Sequence, residues 1–362
     1  MTMSINQFYY YLKPLIPRNI QLNLRRRFVI KRKRVQYADI WPIDELSKKS
    51  HDPSSAWPNN KKFALVLTHD VDTKRGQEKC LSLVELEKQL GFRSSFNFVP
   101  ERYRVDPGLR HNLTDKGFEV GVHGLNHDGK LYESRKTFQR RAVKINEYLK
   151  EWNAVGFRSP SMHHNLKWIH DLDIEYDAST FDTDPFEPQS DGVSTIFPFW
   201  VSKGDSDNGY VELPYTLPQD FTLFVLMREK NIDIWKQKLD WIAEHGGMAL
   251  VNTHPDYMNF HGGKLGIEEY PADYYREFLK YVKDKYEGQY WHVLPRDMAR
   301  FWKKDVMKLA ADERKMEDGR QRTEDGRQRT EDGGRRTEDR GRKTEDRRRI
   351  TEDRSGKAED NE

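Results

Sequence analysis

The sequence contains a single cysteine, Cys80, which excludes an internal disulfide framework. Free thiols are typical of proteins that fold in a reducing compartment. Cys80 lies in the stretch from Gly76 to Leu90, where the spacing of apolar residues predicts an amphipathic helix. We therefore expect a buried structural thiol in preference to a catalytic nucleophile.

Long apolar runs are absent as well. No stretch approaches the ~20 apolar residues that a membrane-spanning helix needs. Near the N-terminus, Lys13, Pro14 and Pro17 interrupt the apolar residues, so no secretory leader is predicted. We expect a cytoplasmic protein.

The chain also lacks an excess of charge of either sign. It has 62 Lys and Arg against 59 Asp and Glu, which gives a formal net charge of +3. A nearly balanced chain has no global field to steer it to nucleic acid, so any basic patch must be local. Nucleic acid is therefore not an expected partner.

Residues 1–57 form an N-terminal arm. Aromatic and aliphatic residues lie between Phe8 and Ile16, and a basic run lies between Arg25 and Arg34. Such a segment is suited to peripheral contact with an anionic membrane. The alternative that we favour is a helix lying on the main domain with a solvated basic face. A third interpretation, nucleic-acid binding through the arm, predicts a steep dependence on salt.

Residues 58–310 alternate between apolar runs of strand length and amphipathic stretches. The runs are Phe63 to Thr68, Ser95 to Val99, Phe118 to Val122, Val211 to Leu213 and Met248 to Asn252. The helix-like stretches are Leu81 to Leu90, Arg135 to Trp152, Ile232 to His245 and Asp273 to Tyr286. This alternation predicts an α/β fold with a mostly parallel sheet covered on both faces. The length favours a (β/α) barrel, with a doubly wound open sheet as the alternative.

The C-terminal segment, residues 311–362, is built on a seven-residue repeat of Thr-Glu-Asp followed by a basic stretch. The repeated threonines are Thr323, Thr330, Thr337, Thr344 and Thr351. Positions that a coiled coil needs apolar hold Thr, Gly, Arg or Glu, so no seam can be buried. The low hydrophobicity predicts a disordered tail.

Polar side chains follow four of the predicted strands at their carboxyl ends, where reactive groups gather in parallel α/β folds. The four segments are Thr68-His69-Asp70-Val71-Asp72, His123-Gly124-Leu125-Asn126-His127, Gly156-Phe157-Arg158-Ser159-Pro160 and Thr253-His254-Pro255-Asp256-Tyr257. Together the four segments contain carboxylates, imidazoles and a guanidinium. So many reactive side chains at the ends of strands are not expected by chance.

The second of these segments has the spacing of a metal site. A single helical turn after the strand would place the imidazoles of His123 and His127 on one face. Two imidazoles and a carboxylate make a three-ligand site for zinc or a similar ion, with a position open for water. Asp70 and Asp72 lie on the same side of an extended segment, so one can bind the metal and the other can act as a base.

These segments resemble the motifs of the polysaccharide deacetylase family, carbohydrate esterase family four. The resemblance covers roughly residues 60–300 and touches the family's five motif regions in order. The first motif is usually Thr-Phe-Asp-Asp-Gly, and the segment from Thr68 to Asp72 resembles a His-Asp-Val-Asp variant of it. The resemblance implies that Asp70 is the base and Asp72 a metal ligand. Asp72 lies one residue beyond the position of the motif's second Asp. The exchanged assignment, with Asp72 as the base and Asp70 as the metal ligand, is therefore the alternative.

The remaining motifs imply the other roles. The segment from His123 to His127 matches the second motif, with Gly124 where a hydroxyl residue is common. The third motif implies that Arg158 orients the base, and the fifth implies that His254 is the general acid.

The fourth motif, normally an Asp near a Trp, falls on a stretch that offers three carboxylates and no Trp. Asp182 is taken as the residue that supports His254, and Asp177 and Asp184 stay open as alternatives.

The resemblance implies a distorted (β/α) barrel and a metal-dependent hydrolase that removes an acetyl or other acyl group from an amide nitrogen of a sugar or glycan. The expected cofactor is a divalent ion, Zn²⁺ first, and the expected partner is a carbohydrate substrate. In this hypothesis Asp70 takes a proton from metal-activated water and His254 protonates the departing amine. The sequence does not set the oligomeric state.

Two rival functions use the same fold. One is hydrolysis of another carbon–nitrogen amide bond, such as a cyclic ureide or a formyl group on a nucleotide sugar. The other is a non-catalytic glycan-binding barrel, against which the set of base, ligands, arginine and acid argues. Metal content together with acetate release would separate these classes.

The repeat tail yields a first prediction. A chain that ends after residue 312 should keep the melting temperature of the full chain, because the repeat has no apolar face that could pack on the domain. Differential scanning calorimetry of both chains measures this. A fall of several degrees in the truncated chain would contradict the prediction.

Overall fold

The computed structural model describes residues 16–33, 40–50, 57–204, 208–308 and 335–349. The first fifteen residues of the arm, which hold half of its aromatic side chains, lie outside the described residues, as does most of the repeat tail. Among the described residues, no helix combines the length and the apolar character needed to cross a bilayer.

The strands coincide with the predicted apolar runs and add several short ones. They are β1 (Phe63–Val71), β2 (Ser95–Phe98), β3 (Glu119–His123), β4 (Gly156–Arg158), β5 (Tyr176–Asp177), β6 (Phe199–Ser202), β7 (Gly209–Glu212), β8 (Met248–Thr253), β9 (Met258–Asn259), β10 (Tyr270–Pro271) and β11 (Tyr290–His292).

The helices are α1 (Arg18–Lys33), α2 (Lys74–Leu90), α3 (Pro107–Asp115), α4 (Arg135–Trp152), α5 (Leu166–Ile169), α6 (Asp233–His245), α7 (Asp273–Tyr286), α8 (residues 295–308) and α9 (residues 335–349). Short 3₁₀ turns span Glu45–Lys48, Pro58–Asn60 and Pro160–Met162, and a π-helical turn spans Phe221–Leu226. The four predicted helices are confirmed, and Cys80 in α2 is buried as expected.

A nine-stranded sheet forms the centre of the molecule. β1 pairs in parallel with β8 on one side and with β2 on the other, and the parallel order continues through β3, β4, β5 and β7. β6 closes the edge in the antiparallel sense. A parallel bridge between Leu217 and Val251 brings the segment after β7 against β8, so the sheet curls back on itself. The prediction of a distorted (β/α) barrel is confirmed.

The central position of β1 explains its sequence. All of its residues are buried, and strands pair with both of its edges. On one face His69 contacts Glu87 of α2, and on the other Asp70 is hydrogen-bonded to Asn97 and Asn252 of the neighbouring strands. A strand buried in this way shows a continuous apolar run rather than alternation. The run ends at Thr68, and the polar residues that follow it bring charge to the carboxyl end of the barrel.

The arm contributes α1, and for these residues the helix lies on the main domain as expected. Its basic face is only partly solvated, because Arg26 is buried and Arg25 is half-buried. Leu22 and Val29 are buried in the same apolar core as the barrel. Ile20 and Leu24 lie on the outer face and are about half exposed. Contact of that outer face with a membrane stays a prediction.

In the described part of the tail, residues 335–349 form α9, and every side chain in it is exposed. A helix that is exposed along its whole length buries no apolar face, so disorder of the tail stays a prediction. Pairs of opposite charge four residues apart, such as Glu338 with Arg342 and Asp339 with Lys343, support a solvated helix without any apolar seam.

Candidate active site

A cavity of about 810 Å³ opens at the carboxyl ends of the central strands. Its wall contains five of the seven side chains predicted for the site, namely Asp70, Asp72, His123, His127 and His254. Arg158 lies beneath the cavity floor and is fully buried. The structure therefore brings six of the seven together, with Asp182 as the exception.

Asp70 is held by three donors. One carboxylate oxygen accepts from the Asn97 amide at 3.0 Å and lies 3.4 Å from a guanidinium nitrogen of Arg158. The other accepts from the Asn252 amide at 2.8 Å. Burial opposes ionisation, but the nearby His123 and Arg158 outweigh it and lower the pKa of Asp70 to about 2. Asp70 is an oriented carboxylate at neutral pH.

Three atoms converge beside Asp70 in an arrangement that can hold a metal ion. Oδ1 of Asp72 lies 3.4 Å from Nε2 of His123 and 3.2 Å from Nε2 of His127. This oxygen is buried and accepts no well-aligned hydrogen bond from a described residue. An oxygen in that state, facing two imidazole nitrogens, fits a divalent cation.

The ring orientations agree with this role. Nδ1 of His123 lies 3.1 Å from the carbonyl oxygen of Arg158, to which it can donate, leaving Nε2 with its lone pair toward Asp72. Burial lowers the pKa of His127 below its ordinary value despite the nearby Asp72 charge, so this imidazole is neutral at pH 7 and its lone pair is available.

The turn between the two histidines differs from the predicted helical turn. It is a bend in which Gly124 and His127 both adopt positive φ, 61° and 52°. A Cβ on Gly124 would lie 2.5 Å from the ring of Pro160. The glycine is therefore required where a hydroxyl residue is common in the resembling family, because β3 turns closely over the segment that follows β4.

His254 faces the same cavity and is paired with Asp220. Its Nδ1 lies 2.7 Å from one carboxylate oxygen of Asp220, and its backbone N–H donates to the other at 2.8 Å. The Tyr270 hydroxyl also donates to Asp220. Burial disfavours the imidazolium, but the charges of Asp220, Asp72 and Asp70 raise the pKa of His254 to about 10. The imidazole is protonated at neutral pH.

The prediction that Asp182 supports His254 is wrong. Asp182 is buried against Lys238 of α6, with a carboxylate oxygen 2.5 Å from the ammonium nitrogen. The alternatives, Asp177 and Asp184, are also hydrogen-bonded to other residues. Asp177 accepts from the Ser179 hydroxyl, and Asp184 accepts from the Tyr215 hydroxyl.

Several residues of the site were missed by sequence reasoning. Asp220, Asn97, Asn252 and Gln219 all contribute, and Asp256 accepts from the backbone N–H of Asp72 at 2.9 Å. One feature of the sequence could have indicated Asp220 as a site residue: it follows a short apolar stretch that ends at Leu217. That stretch lines up with β8 but is too short to be recognised as a strand.

Comparisons with known proteins agree with this architecture. No family model matches the sequence, and no curated protein matches it. Two solved structures provisionally described as polysaccharide deacetylases share the fold. The protein from Mycobacterium smegmatis is 18% identical with a TM-score of 0.56, and the match covers 72% of this chain and 96% of that one. The protein from Pseudomonas aeruginosa PAO1 is 16% identical with a TM-score of 0.54, over 73% and 99%.

A PuuE allantoinase is similar to the same degree, with 16% identity and a TM-score of 0.54 over 72% of this chain and 97% of that one. At such identities the likeness establishes the fold. The resemblance seen in the sequence motifs is thereby confirmed as a resemblance of fold.

The pairing of His254 leads to a second prediction. Asp220→Asn should lower the pKa of His254 from about 10 toward or below its ordinary 6.5, because burial alone disfavours the imidazolium. NMR titration of the imidazole in metal-free protein measures this. In the wild type, the ion pair stabilises the fold fully below about pH 6.5, and this contribution is lost as the pH rises through about 10.

Asp182→Asn is the matched control. It should leave the pKa of His254 unchanged but lower the free energy of unfolding by about 3–5 kcal/mol, because it leaves the buried ammonium of Lys238 unpaired. A shift of the His254 pKa in the Asp182 variant, with none in the Asp220 variant, would reverse the assignment.

Proposed function

We propose that this chain is a member of the polysaccharide deacetylase family and a metal-dependent hydrolase that removes an acetyl group from an amide nitrogen of a sugar. The observation that carries the proposal is the convergence of an ionised Asp70, a cation-binding group and a protonated His254 on one cavity. Hydrolysis of an amide needs all three, since the carbonyl resists water and the amine leaves poorly without a proton.

Asp72, His123 and His127 would hold the ion. One carboxylate and two imidazoles suit Zn²⁺, which also leaves open positions in catalytic sites of this kind. When bound, such an ion supplies Lewis-acid activation of water and of the carbonyl oxygen. Asp256 positions Asp72 through the backbone N–H, which keeps the ligand oxygen pointed at both histidines.

Asp70 is the proposed base. Its low pKa would make it a weak proton acceptor in water, but it need only take the proton of a water molecule that is already activated. Two side-chain amides and Arg158 fix the direction of its carboxylate, so that the lone pair faces the attacking water. The hydrogen-bonding pattern supports this role for Asp70 over the exchanged assignment, because Asp72 is the carboxylate that faces both histidines.

His254 is the proposed acid. Asp220 accepts from Nδ1, which leaves the proton on Nε2 as the one that can be donated to the departing amine. As the amine leaves, the imidazole becomes neutral, and Asp220 continues to hold the ring in position. The same pair would recover its proton from solvent, which the raised pKa favours at neutral pH.

A second candidate function is hydrolysis of a different carbon–nitrogen amide, and the likeness to an allantoinase favours it. The cavity of about 810 Å³ is larger than a small cyclic ureide fills and is suited to a sugar with further substituents. Acetate release from a panel of N-acetylated monosaccharides, nucleotide sugars and oligosaccharides tests the first function, and ring opening of allantoin tests the second. A zinc-loaded protein that is inactive on both panels but binds glycans would favour the non-catalytic barrel.

The proposed ligands give a third prediction. The double variant His123→Ala, His127→Ala should lose bound metal while keeping its far-ultraviolet circular dichroism, because both side chains line the cavity. Metal content is measured by mass spectrometry after dialysis.

Asp70→Asn is the control for this experiment. It should keep stoichiometric metal and lose nearly all turnover, whereas Asp72→Asn should lose metal affinity first. Stoichiometric metal in the histidine double variant would refute the ligand assignment, and the opposite behaviour of the two Asp variants would exchange their roles.

A fourth prediction separates a proton donor from a ligand. His254→Ala should slow amide hydrolysis by about 10²–10⁴, the usual contribution of a positioned proton transfer. Metal content should not change. An activated acetate ester has a good leaving group that needs little protonation, so the variant should hydrolyse it at nearly the wild-type rate. Equal loss on ester and amide would mean that His254 holds the substrate or the metal.

A further inference from the structure

One wall of the cavity comes from the N-terminal arm, which lies outside the segment that carries the deacetylase motifs. α1 is anchored there by buried contacts. Leu22 and Val29 pack in the core, and the guanidinium of Arg26 donates to the carbonyl oxygens of Val225 at 2.9 Å and Ile267 at 2.5 Å. These contacts fix the helix beside the cavity, so the side chains on its inner face are part of the pocket.

Arg25 lies on that inner face. It is half-buried, lines the cavity, and places its guanidinium carbon 5.1 Å from the centroid of the Phe221 ring. It forms no ion pair with a carboxylate of any described residue. Stacking on an aromatic ring holds a guanidinium in place and leaves its N–H groups along the edge free to bind an anion in two-pronged geometry.

Other cations line the same cavity from separate elements. Arg75 belongs to α2, Arg102 follows β2, and Lys130 follows the turn that contains His127. Within the described chain, none of the three is paired with a carboxylate; Arg75 instead donates to the carbonyl oxygen of Asp256.

The carboxylates around the cavity outside the catalytic group do not neutralise these cations. Asp128 is held by Arg141 through two contacts of 2.7 Å, and Glu268 is held by Arg18 at 2.6 Å. Glu187 is neutral at pH 7, because burial and the nearby Asp184 raise its pKa to about 8. Asp256, the remaining carboxylate in the wall, accepts hydrogen bonds from the Thr73 hydroxyl and the backbone N–H of Asp72. The cations described above, from α1, α2 and the loops after β2 and β3, therefore face the cavity without a carboxylate of any described residue in direct contact.

We propose that the substrate carries an anionic group, a phosphate or a carboxylate, close to the sugar that bears the amide, and that Arg25 of the arm binds it. This inference rests on the proposed function for the identity of the sugar but not for the anion site itself. The barrel supplies the chemistry, and the arm supplies selection for a charged substrate. A neutral oligosaccharide would offer the Arg25 guanidinium no charged group to bind.

The test compares three N-acetylated sugars on the full-length, metal-loaded protein: methyl N-acetylglucosaminide as the neutral probe, N-acetylglucosamine 1-phosphate, and N-acetylmuramic acid as the carboxylate. Calorimetry gives the dissociation constants, and acetate release gives kcat/KM. The wild type should bind at least one anionic sugar more tightly than the neutral one, and the tighter of the two identifies the anion.

Arg25→Gln should weaken binding of that anionic sugar about tenfold, as expected for a charge-assisted contact, and change binding of the neutral sugar less than twofold. Arg27→Gln is the matched control, since it removes the same charge from an exposed position on the same helix that does not line the cavity. The Arg27 variant should change binding of neither the anionic nor the neutral sugar. Arg102→Gln, on a different element, should weaken binding of the anionic sugar by less than Arg25→Gln does. It should also leave binding of the neutral sugar nearly unchanged.

The proposal is overturned if the wild type binds all three sugars alike, if Arg25→Gln weakens the neutral sugar equally, or if Arg25→Gln and Arg27→Gln have the same effect. The last result would indicate a diffuse field rather than a site. Coordination of phosphate to the metal is unaffected by Arg25, so it cannot imitate the selective loss. Selective binding without acetate release from any sugar would support the anion site while refuting the proposed deacetylation.

Discussion

The buried charge of Arg158 is the constraint on which the rest of the site depends. Its Nε donates to the carbonyl oxygen of Ala178 at 2.8 Å, and one terminal nitrogen donates to the Thr68 hydroxyl at 2.8 Å. Its own carbonyl oxygen lies 3.1 Å from Nδ1 of His123. A guanidinium buried at the centre of a barrel is costly unless an opposite charge lies near it, and Asp70 provides that charge at 3.4 Å. The guanidinium thus connects β1 to the segment after β5 and keeps the carboxylate ionised, and the backbone carbonyl of the same residue connects to β3.

Glu87 and Asp72 are both buried carboxylates, but they face different surroundings. Behind the sheet, Glu87 accepts from Ser94 and Tyr275 and is paired with His69, so its hydrogen-bonding capacity is used within the core. At the cavity, Asp72 keeps a buried oxygen that no described residue satisfies with a well-aligned hydrogen bond. Because this oxygen lies beside the Nε2 atoms of two histidines, a bound cation would satisfy it. The same contrast separates His69, which is packed into the core, from His254, which faces the cavity.

Much of the architecture follows from local pattern. The apolar runs that became β1, β2, β3 and β8 were recognisable because a strand buried on both faces leaves a continuous apolar stretch, and the helices because an amphipathic helix repeats its apolar residues every turn. The rule that reactive groups gather at the carboxyl ends of parallel strands then pointed to four segments. Within them, the resemblance to the deacetylase motifs implied Asp70, Asp72, His123, His127, Arg158 and His254. The helical turn expected between the histidines was wrong, because contact with Pro160 requires a bend at Gly124.

The sequence by itself therefore determined the fold class, the strand ends and the chemical types gathered there, since these depend on periodicity along the chain. Tertiary structure decided which residues meet. Asp220 rather than Asp182 pairs with His254 because closure of the barrel lays the segment that ends at Leu217 against β8, whereas α6 brings Lys238 to Asp182. Arg25 reaches the cavity only because α1 packs on the barrel. Such partners are far apart in sequence, and no local spacing encodes a contact that curvature of the sheet and docking of a helix create.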